Sequence, residues 1–250
     1  MHLFSEKELS LDSFLDGKLH IWQPLKGYRA ATDPVFLAAA CPAKEGEEVL
    51  ELGCGAGTAS FCLFRRLNVK LTGVELQLQY AKLGIKNGLH NKIPIEVETS
   101  DLRNLSSNIR GKLFHQVMMN PPYYRAGTPG HNNGKESSQR INTPLTDWVN
   151  IALKRLKPKG WITIINTPEN LTELLNALGT KVGDISIKPL ASREHMIANR
   201  VIIRAKKSSR GITKIFSPLI VHTGKKHLED SDSYSMEASG VLRNANPIHF

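Results

Sequence analysis

The sequence lacks several features that would place a protein outside the ordinary globular classes. Its three cysteines, Cys41, Cys54 and Cys62, are too few for a disulfide framework and do not have the spacing of metal ligands. No apolar run approaches the roughly 20 residues that span a bilayer. Acidic side chains occupy the first twelve residues, where a signal peptide has a basic region and an apolar core. We therefore expect a cytoplasmic protein with neither a membrane anchor nor a bound metal.

Acidic residues are also few relative to basic ones. The 250 residues include 23 Asp and Glu against 33 Lys and Arg, which gives a net charge of +10. Ten of the basic residues, and only one acid, lie between residues 186 and 228. A surface of this kind favours an anionic partner such as a nucleic acid, and a solvated basic face is the alternative.

Apolar patterns alternate between strand and helix through the middle of the chain, as in parallel βαβ units. Strands are predicted at 48–52, 70–75, 95–97, 115–119 and 161–165, and helices at 58–67, 78–87 and 145–156. Residues 185–188 and 200–205 predict two further strands that form an antiparallel pair. The expected fold is α/β, a mostly parallel seven-stranded sheet with an antiparallel edge strand and helices on both faces. Residues 125–143 and 229–250 show no clear pattern.

A glycine-rich turn lies between the strand at 48–52 and the helix after it. Gly53, Gly55 and Gly57 permit a tight turn and let a ligand approach the backbone, because no Cβ intervenes. Glu51 precedes the turn, and Glu75 ends the next strand, where a carboxylate can accept both hydroxyl protons of a ribose. In this order the segments resemble the S-adenosylmethionine site of class I methyltransferases, which have a Rossmann-like fold. A turn that binds nothing is the alternative.

This resemblance implies that S-adenosylmethionine is the cofactor and S-adenosylhomocysteine the product. It assigns cofactor contacts to the residues of the turn and its flanking acids: Glu51, Gly53, Gly55, Gly57 and Glu75. By the same resemblance Asp101, which follows the third strand, would hold the amino group of the cofactor's adenine. A helix N-cap is the alternative role for Asp101.

The motif Asn120-Pro121-Pro122-Tyr123 follows the fourth predicted strand. Ligands of such sheets bind outside the carboxyl ends of the strands, so the motif would face the cofactor's methyl group. An amino nitrogen on an sp² carbon is a poor nucleophile because its lone pair is delocalised. Acceptors at the Asn120 side-chain oxygen and the Pro121 carbonyl would localise that lone pair. The prolines stiffen the turn, and Tyr123 offers a stacking face. A simple strand end is the alternative.

Asn-Pro-Pro-Tyr in this place is similar to the motif of amino-group methyltransferases, which act on adenine N6 in nucleic acids or glutamine N5 in release factors. Residues 11–38 resemble the segment before the glycine turn in bacterial tRNA adenine-N6 methyltransferases of the small-domain family, which modify adenine 37 of valine tRNA. The resemblance implies that Asn120 also contacts the cofactor and that Tyr28, Arg29 and Asp33 close over its methionine part. A helix start is the alternative role for Asp33.

The same resemblance implies one methyltransferase domain over residues 1–250. Residues 1–45 would form a cofactor-closing segment, residues 46–206 the catalytic core and residues 207–250 a C-terminal extension.

We expect the substrate to be an adenine in structured RNA, most simply a tRNA, that leaves its stack to enter the pocket. Phosphate contacts are predicted for seven basic residues: Arg125, Lys135, Arg140, Arg193, Lys206, Lys207 and Arg210. A glutamine-N5 protein methyltransferase, a guanine-N2 rRNA methyltransferase and a catalytically silent RNA-binding module stay open as alternatives. Cytosine-C5 methylation is disfavoured, because none of the cysteines lies near the motif.

Overall fold

The computed structural model describes residues 3–123, 143–224 and 233–250. Over this part of the chain a nine-stranded sheet carries helices on both faces, and a separate two-stranded hairpin packs on α2 and α3. The strands are β1 (Leu9–Phe14), β2 (Leu19–Pro24), β3 (Glu48–Leu52), β4 (Lys70–Glu75), β5 (Ile95–Thr99), β6 (Phe114–Met119), β7 (Leu156–Asn166), β8 (Val182–Ala191), β9 (Arg200–Lys207), β10 (Lys214–Ile215) and β11 (Leu219–Ile220). The helices are α1 (Asp33–Ala40), α2 (Thr58–Arg66), α3 (Leu78–Asn91), α4 (Ser107–Gly111), α5 (Leu145–Arg155), α6 (Leu171–Leu178) and α7 (Met236–Asn244). None of these helices is both long and apolar enough to cross a membrane.

The large sheet has the strand order β10-β8-β9-β7-β6-β3-β4-β5, and β11 also pairs with β8. The mostly parallel α/β sheet is confirmed, with two differences in detail. It has nine strands where seven were predicted, because β10 and β11 also pair with β8. The antiparallel strand β9 is not at the edge but lies between β7 and β8. The crossover through α6 brings β8 back parallel to β7 and leaves room for one strand between them. The short connection after β8 then returns the chain into that gap as β9.

Successive residues of the central strands point into two separate cores. Val49 and Met118 face the first core, which contains α1 and α2, whereas Leu50 and Val117 face the second, which contains α5 and α6. Both faces of the sheet are covered, which is why apolar residues occupy successive positions in these strands. Residues of the C-terminal segment, Leu219, Ala238, Val241, Ala245 and Ile248, pack in the first core.

Several elements go beyond the sequence prediction: the N-terminal hairpin of β1 and β2, α4, α6, β10, β11 and α7. The hairpin of β1 and β2 turns at Asp16–Gly17, where both residues have positive φ, and Asp-Gly is a common hairpin signal. Helix α7 lies in the segment for which no conformation was predicted. Its N-cap is Ser235, whose Oγ accepts the Ala238 N–H at 3.1 Å.

Two asparagines of α3 attach the hairpin to the rest of the fold. Asn87 Oδ1 accepts the Trp22 N–H at 2.8 Å, and its Nδ2 donates to the Trp22 carbonyl at 3.1 Å. Asn91 makes the same pair of bonds to His20, at 3.0 and 2.6 Å. Both asparagines are buried. Because residues four apart share a helix face, the two amides extend the edge of β2 as a neighbouring strand would.

Replacing Asn87 by alanine removes both bonds to the Trp22 backbone and leaves these polar groups without their partner. We expect the free energy of unfolding in chemical denaturation to fall by about 1–3 kcal/mol. Hydrogen exchange at the Trp22 amide should also accelerate. Leu89→Ala is the matched control on the same helix, since Leu89 is 77% exposed. Unchanged exchange at Trp22 in Asn87→Ala would rule out the anchoring role.

Candidate active site

Parallel pairing of β3 with β6 brings the two predicted motifs together. Leu52 lies opposite Met119 in the register of these strands. The chain therefore leaves β3 at Gly53 and β6 at Asn120 on the same edge of the sheet, side by side. Glu75 ends β4, the other neighbour of β3, at the same edge. The glycine turn, Glu75 and the start of the Asn-Pro-Pro-Tyr motif thus form one site.

The three glycines of the turn serve different purposes, although all three have positive φ. A Cβ on Gly53 would lie 2.7 Å from the Trp148 ring, and one on Gly57 would lie 2.5 Å from the Phe61 ring. These two glycines are needed for close packing. A Cβ on Gly55 would meet nothing nearer than the Tyr28 ring at 3.9 Å. Gly55 is therefore the position where the backbone is open to a ligand.

The Glu75 carboxylate is buried and held by two backbone amides. One oxygen accepts the Gly55 N–H and the other the Gln77 N–H, each at 2.9 Å. A carboxylate oxygen has two lone pairs, so each oxygen retains capacity for another donor. This geometry suits two neighbouring hydroxyl groups, as the sequence predicts for Glu75.

The Glu51 side chain, in contrast, is used within the protein. Its Oε2 accepts the backbone N–H and the Oγ–H of Ser60, at 3.0 and 2.5 Å, and so fixes the first turn of α2. Burial raises the pKa of this carboxyl to about 8, against the opposing effect of the Ser60 hydrogen bonds. Direct cofactor contact by Glu51 stays a prediction.

Asp101 adopts the alternative role given for it, that of an N-cap. Its carboxylate caps the short 3₁₀ helix Leu102–Asn104 by accepting the Arg103 N–H at 2.8 Å, and it also pairs with the Arg103 guanidinium at 2.7 Å. The hydrogen bond from Arg103 lowers the pKa of Asp101. Recognition of the cofactor's adenine by Asp101 stays a prediction.

Tyr28 and Arg29 are neighbours in sequence but have different surroundings. The Tyr28 ring lies over Gly55, and the Tyr80 hydroxyl bonds both the N–H and the carbonyl of Tyr28, at 2.8 and 3.1 Å. Arg29 instead turns to the hairpin, where its guanidinium bonds Ser10, Asp12 and the Pro24 carbonyl. The structure brings Tyr28 to the glycine turn and directs Arg29 to a structural contact.

Asp33 begins α1, with Pro34 next, which confirms the predicted helix start. Its Oδ2 accepts two hydrogen bonds, from the Tyr123 hydroxyl at 2.6 Å and from Arg200 Nε at 2.9 Å. The Tyr123 hydroxyl also lies 2.7 Å from Asn120 Oδ1, and the Arg200 guanidinium lies 4.6 Å from the centre of the Tyr123 ring. Burial and the Asp33 carboxylate raise the pKa of Tyr123 well above its usual value.

Sequence reasoning missed Arg200 as a site residue and treated it as the start of a predicted strand and as one of many positive charges. It also missed two buried asparagines at the end of β7 and just beyond it. Asn166 Nδ2 donates to the Pro121 carbonyl at 3.3 Å, and Asn170 Nδ2 donates to the Tyr123 carbonyl at 3.2 Å. Polar residues that end a buried apolar strand at the ligand-binding edge were the signal available for both.

The predicted RNA contacts are divided between the two ends of the sheet. Arg193 follows β8 at the edge that carries the site, and its guanidinium bonds the carbonyls of Thr223 and Gly224. Lys206, Lys207 and Arg210 are at the opposite edge, because β9 runs antiparallel and ends there. Lys207 Nζ bonds two carbonyls, those of Leu153 and Leu156. Arg125, Lys135 and Arg140 lie outside the described residues. RNA binding by all of these residues stays a prediction.

Residues 32–187 match the family model of the methyltransferase small domain. The chain belongs to this family. It is 26% identical over 202 residues to the tRNA1(Val) (adenine(37)-N6)-methyltransferase of Shewanella frigidimarina, an alignment that covers 76% of this chain and 80% of that relative.

Solved methyltransferase structures share the fold of this small-domain methyltransferase. A predicted O-methyltransferase from Agrobacterium tumefaciens superimposes with a TM-score of 0.68 and 22% identity, over 87% of this chain and 98% of that one. A 16S rRNA N2 G1207 methyltransferase of T. thermophilus, in complex with AdoMet and guanosine, gives a TM-score of 0.54 and 20% identity, over 80% and 50% of the two chains. The fold is the Rossmann-like fold of class I methyltransferases.

S-adenosylmethionine is the cofactor of this methyltransferase, and the residues present fit it. The open backbone at Gly55 provides the close approach, and the Glu75 oxygens have lone pairs for ribose hydroxyls. The Tyr28 ring lies next to Gly55 of the turn. Within the described ranges no three His, Cys, Asp or Glu side chains are placed to hold a metal ion.

Replacing Glu75 by glutamine removes the charge that the ribose hydroxyls would meet and turns one N–H₂ group toward a backbone donor. We expect S-adenosylhomocysteine, measured by calorimetry, to bind roughly 10–100-fold more weakly, as loss of charge-assisted hydrogen bonds predicts. Glu96→Gln, on the exposed side of β5, is the matched control. Equal affinities in the two variants would contradict the assignment of Glu75.

The raised pKa of Glu51 makes stability depend on pH. The folded protein keeps this carboxyl protonated up to about pH 8, whereas the unfolded chain releases the proton near pH 4.5. The contribution of this group to the free energy of unfolding is therefore complete below about pH 4.5 and is lost progressively as the pH rises to about 8. Relative to the unaltered chain, Glu51→Gln should gain about 2 kcal/mol or more between pH 5.5 and 8.5. A difference that stays constant with pH would contradict this account.

Proposed function

We propose that this methyltransferase transfers the methyl group of S-adenosylmethionine to the N6 amino group of an adenine in RNA, specifically in a tRNA, in the cytoplasm. The observation that carries the proposal is the Asn-Pro-Pro-Tyr turn beside the glycine turn, with its Tyr123 tied to Asp33 at the start of α1. The name of the Shewanella relative agrees with this chemistry.

Bound S-adenosylmethionine supplies an electrophilic methyl group on a positively charged sulfur. Asn120 and Pro121 then have to make a planar amine nucleophilic. Acceptors on its two N–H groups draw the nitrogen toward a pyramidal form with a localised lone pair. The Pro121 carbonyl takes only a long hydrogen bond, 3.3 Å, from Asn166, so a lone pair is left for a substrate N–H. The amino proton is lost after methylation, when the nitrogen is cationic, so no strong base is required.

Tyr123 and the two prolines position the base in this proposal. The tyrosine ring provides a stacking surface, and stacking of a base on an aromatic ring contributes about 1–3 kcal/mol. Asn166 and Asn170 bond the carbonyls at both ends of the Pro121–Tyr123 segment and bond each other at 2.7 Å. A turn held in this way keeps the methyl donor and the substrate nitrogen aligned. Such alignment can account for a large part of the lowering of the reaction barrier.

The choice of RNA over protein is supported by charge. The region from residue 186 to 228 has ten basic residues and one acid, and neutralisation of phosphates dominates the affinity of proteins for nucleic acids. A tRNA whose adenine is in the active site would have to extend along the strands to contact Lys206 and Arg210 at the other end of the sheet. The eight residues of β9 correspond to roughly 23 Å, a distance that a folded RNA can span.

The proposal predicts transfer of a labelled methyl group from S-adenosylmethionine to total tRNA, with N6-methyladenosine as the product in nucleoside mass spectrometry. Asn120→Ala should lower kcat by roughly 100-fold or more, because one of the two amine acceptors is lost. Asn108→Ala, an exposed asparagine of α4, is the matched control. Transfer that survives Asn120→Ala, or a product methylated at guanine N2 or glutamine N5, would overturn the proposal.

Binding through phosphates predicts a steep dependence of the reaction on salt. The value of kcat/KM for tRNA should fall as potassium chloride rises, and Lys206→Gln should reduce the log–log slope by about one if this side chain meets a phosphate. Lys82→Gln, on α3, serves as the control for loss of one positive charge. A rate independent of salt would refute the phosphate contacts.

A further inference from the structure

The Tyr123 hydroxyl has one proton and two acceptors within hydrogen-bond distance. Asp33 Oδ2 is 2.6 Å away and Asn120 Oδ1 is 2.7 Å away. A hydroxyl donates one hydrogen bond, so it satisfies one of these oxygens and turns a lone pair toward the other. Which acceptor receives the proton decides which atom of the Asn120 amide can face Tyr123.

Asp33 is the stronger acceptor of the two. It is a carboxylate paired with Arg200 Nε at 2.9 Å, and hydrogen bonds to ionised acceptors are roughly twice as strong as neutral ones. Tyr123 stays protonated, because burial and the Asp33 charge raise its pKa. With the proton given to Asp33, the Tyr123 oxygen can only accept from Asn120. A half-turn of the amide about its Cβ–Cγ bond meets this need by placing Nδ2 against Tyr123.

We propose that Asp33 and Arg200 are positioning residues that set the orientation of the Asn120 amide through the Tyr123 hydroxyl. This inference rests on the proposed function, since it concerns the oxygen that receives the substrate amine. When Tyr123 donates to Asp33 and accepts from Asn120 Nδ2, the amide oxygen is released to the substrate. When Tyr123 donates to Asn120 Oδ1, that oxygen is already occupied and the turn is catalytically poor.

Arg200 contributes in two ways. Its Nε bonds Asp33, and its guanidinium lies 4.6 Å from the centre of the Tyr123 ring, within the range of a cation–π contact. Its Nη1 is fixed by the Asn199 carbonyl at 2.8 Å. A guanidinium over one face of the ring leaves the opposite face for a substrate base. Arg200 therefore holds the carboxylate and the ring in one arrangement.

Kinetics of Asp33, Tyr123 and Arg200 variants test whether Asp33 and Arg200 set the orientation of the Asn120 amide through the Tyr123 hydroxyl. Asp33→Ala should lower kcat for tRNA by roughly 10–100-fold with little change in KM, because Tyr123 then captures the Asn120 oxygen. Asp33→Asn retains an acceptor but not the charge that makes Asp33 the stronger one, so its kcat should lie between those of the unaltered protein and Asp33→Ala. Tyr123→Phe cannot capture the oxygen, so the double variant Asp33→Ala/Tyr123→Phe should be at least as active as Asp33→Ala alone. Arg204→Lys, on the same strand and away from Tyr123, is the control for Arg200→Lys, which should lower kcat alone.

Losses that multiply in the double variant would overturn the proposal, because a purely structural role for Asp33 predicts independent effects. A second measurement needs no substrate and so separates this proposal from the proposed function. The side-chain amide of Asn120, identified in NMR spectra by its disappearance in Asn120→Asp, should exchange its protons at least tenfold more slowly in the unaltered protein than in Tyr123→Phe. Equal exchange rates would mean that no amide proton is donated to Tyr123. This result would overturn the positioning role of Asp33 and Arg200 even if tRNA is methylated.

Discussion

The site depends on one pairing, the parallel alignment of β3 with β6 at the centre of the sheet. Leu52 opposite Met119 is a fully buried pair, and its register determines that the chain leaves both strands at the same level. A shift by one residue would exchange the two faces of a strand between the two cores, so the register is strongly specified. The neighbouring pair Leu52 and Val74 sets the level of Glu75 in the same way. Three adjacent strand ends therefore define where cofactor and acceptor meet.

Segments distant in sequence complete this site through charge and hydrogen bonds. Asp33 comes from the N-terminal segment, Tyr123 from the central turn and Arg200 from the first position of β9. A carboxylate shared by a hydroxyl and a guanidinium ties the three together. If one of these three partners is removed, a partly buried charge or hydrogen-bond donor is left unpaired, which is costly. The contact is therefore specific as well as stabilising. Because β9 runs antiparallel to its neighbours, its first residue, Arg200, lies at the active site. The basic residues at the C-terminal end of β9 lie at the other end of the sheet.

The sequence predicted the seven strands from β3 to β9 and the helices α2, α3 and α5, because buried parallel strands and amphipathic helices have distinct apolar periods. The glycine turn, Glu75 and Asn120 were predicted to meet, since parallel strands end at one edge. Contacts made by side chains across the fold could not be read in this way. Charge alone did not separate Arg200 from Lys207, because only the direction of a strand decides which edge a residue reaches. Likewise, the ion pairs of Asp101 with Arg103 and of Arg29 with Asp12 could not be predicted from a motif.

The central claim is that Asn120 and Pro121 receive an adenine amino group opposite the cofactor's methyl group. A crystal structure with S-adenosylhomocysteine and adenosine, or a short adenine-containing RNA, tests it most directly. The account predicts the adenine stacked on Tyr123, with its N6 about 3 Å from both the Asn120 side-chain oxygen and the Pro121 carbonyl. Adenine bound elsewhere, or an Asn120 oxygen that stays on the Tyr123 hydroxyl while N6 is held by other groups, would contradict it.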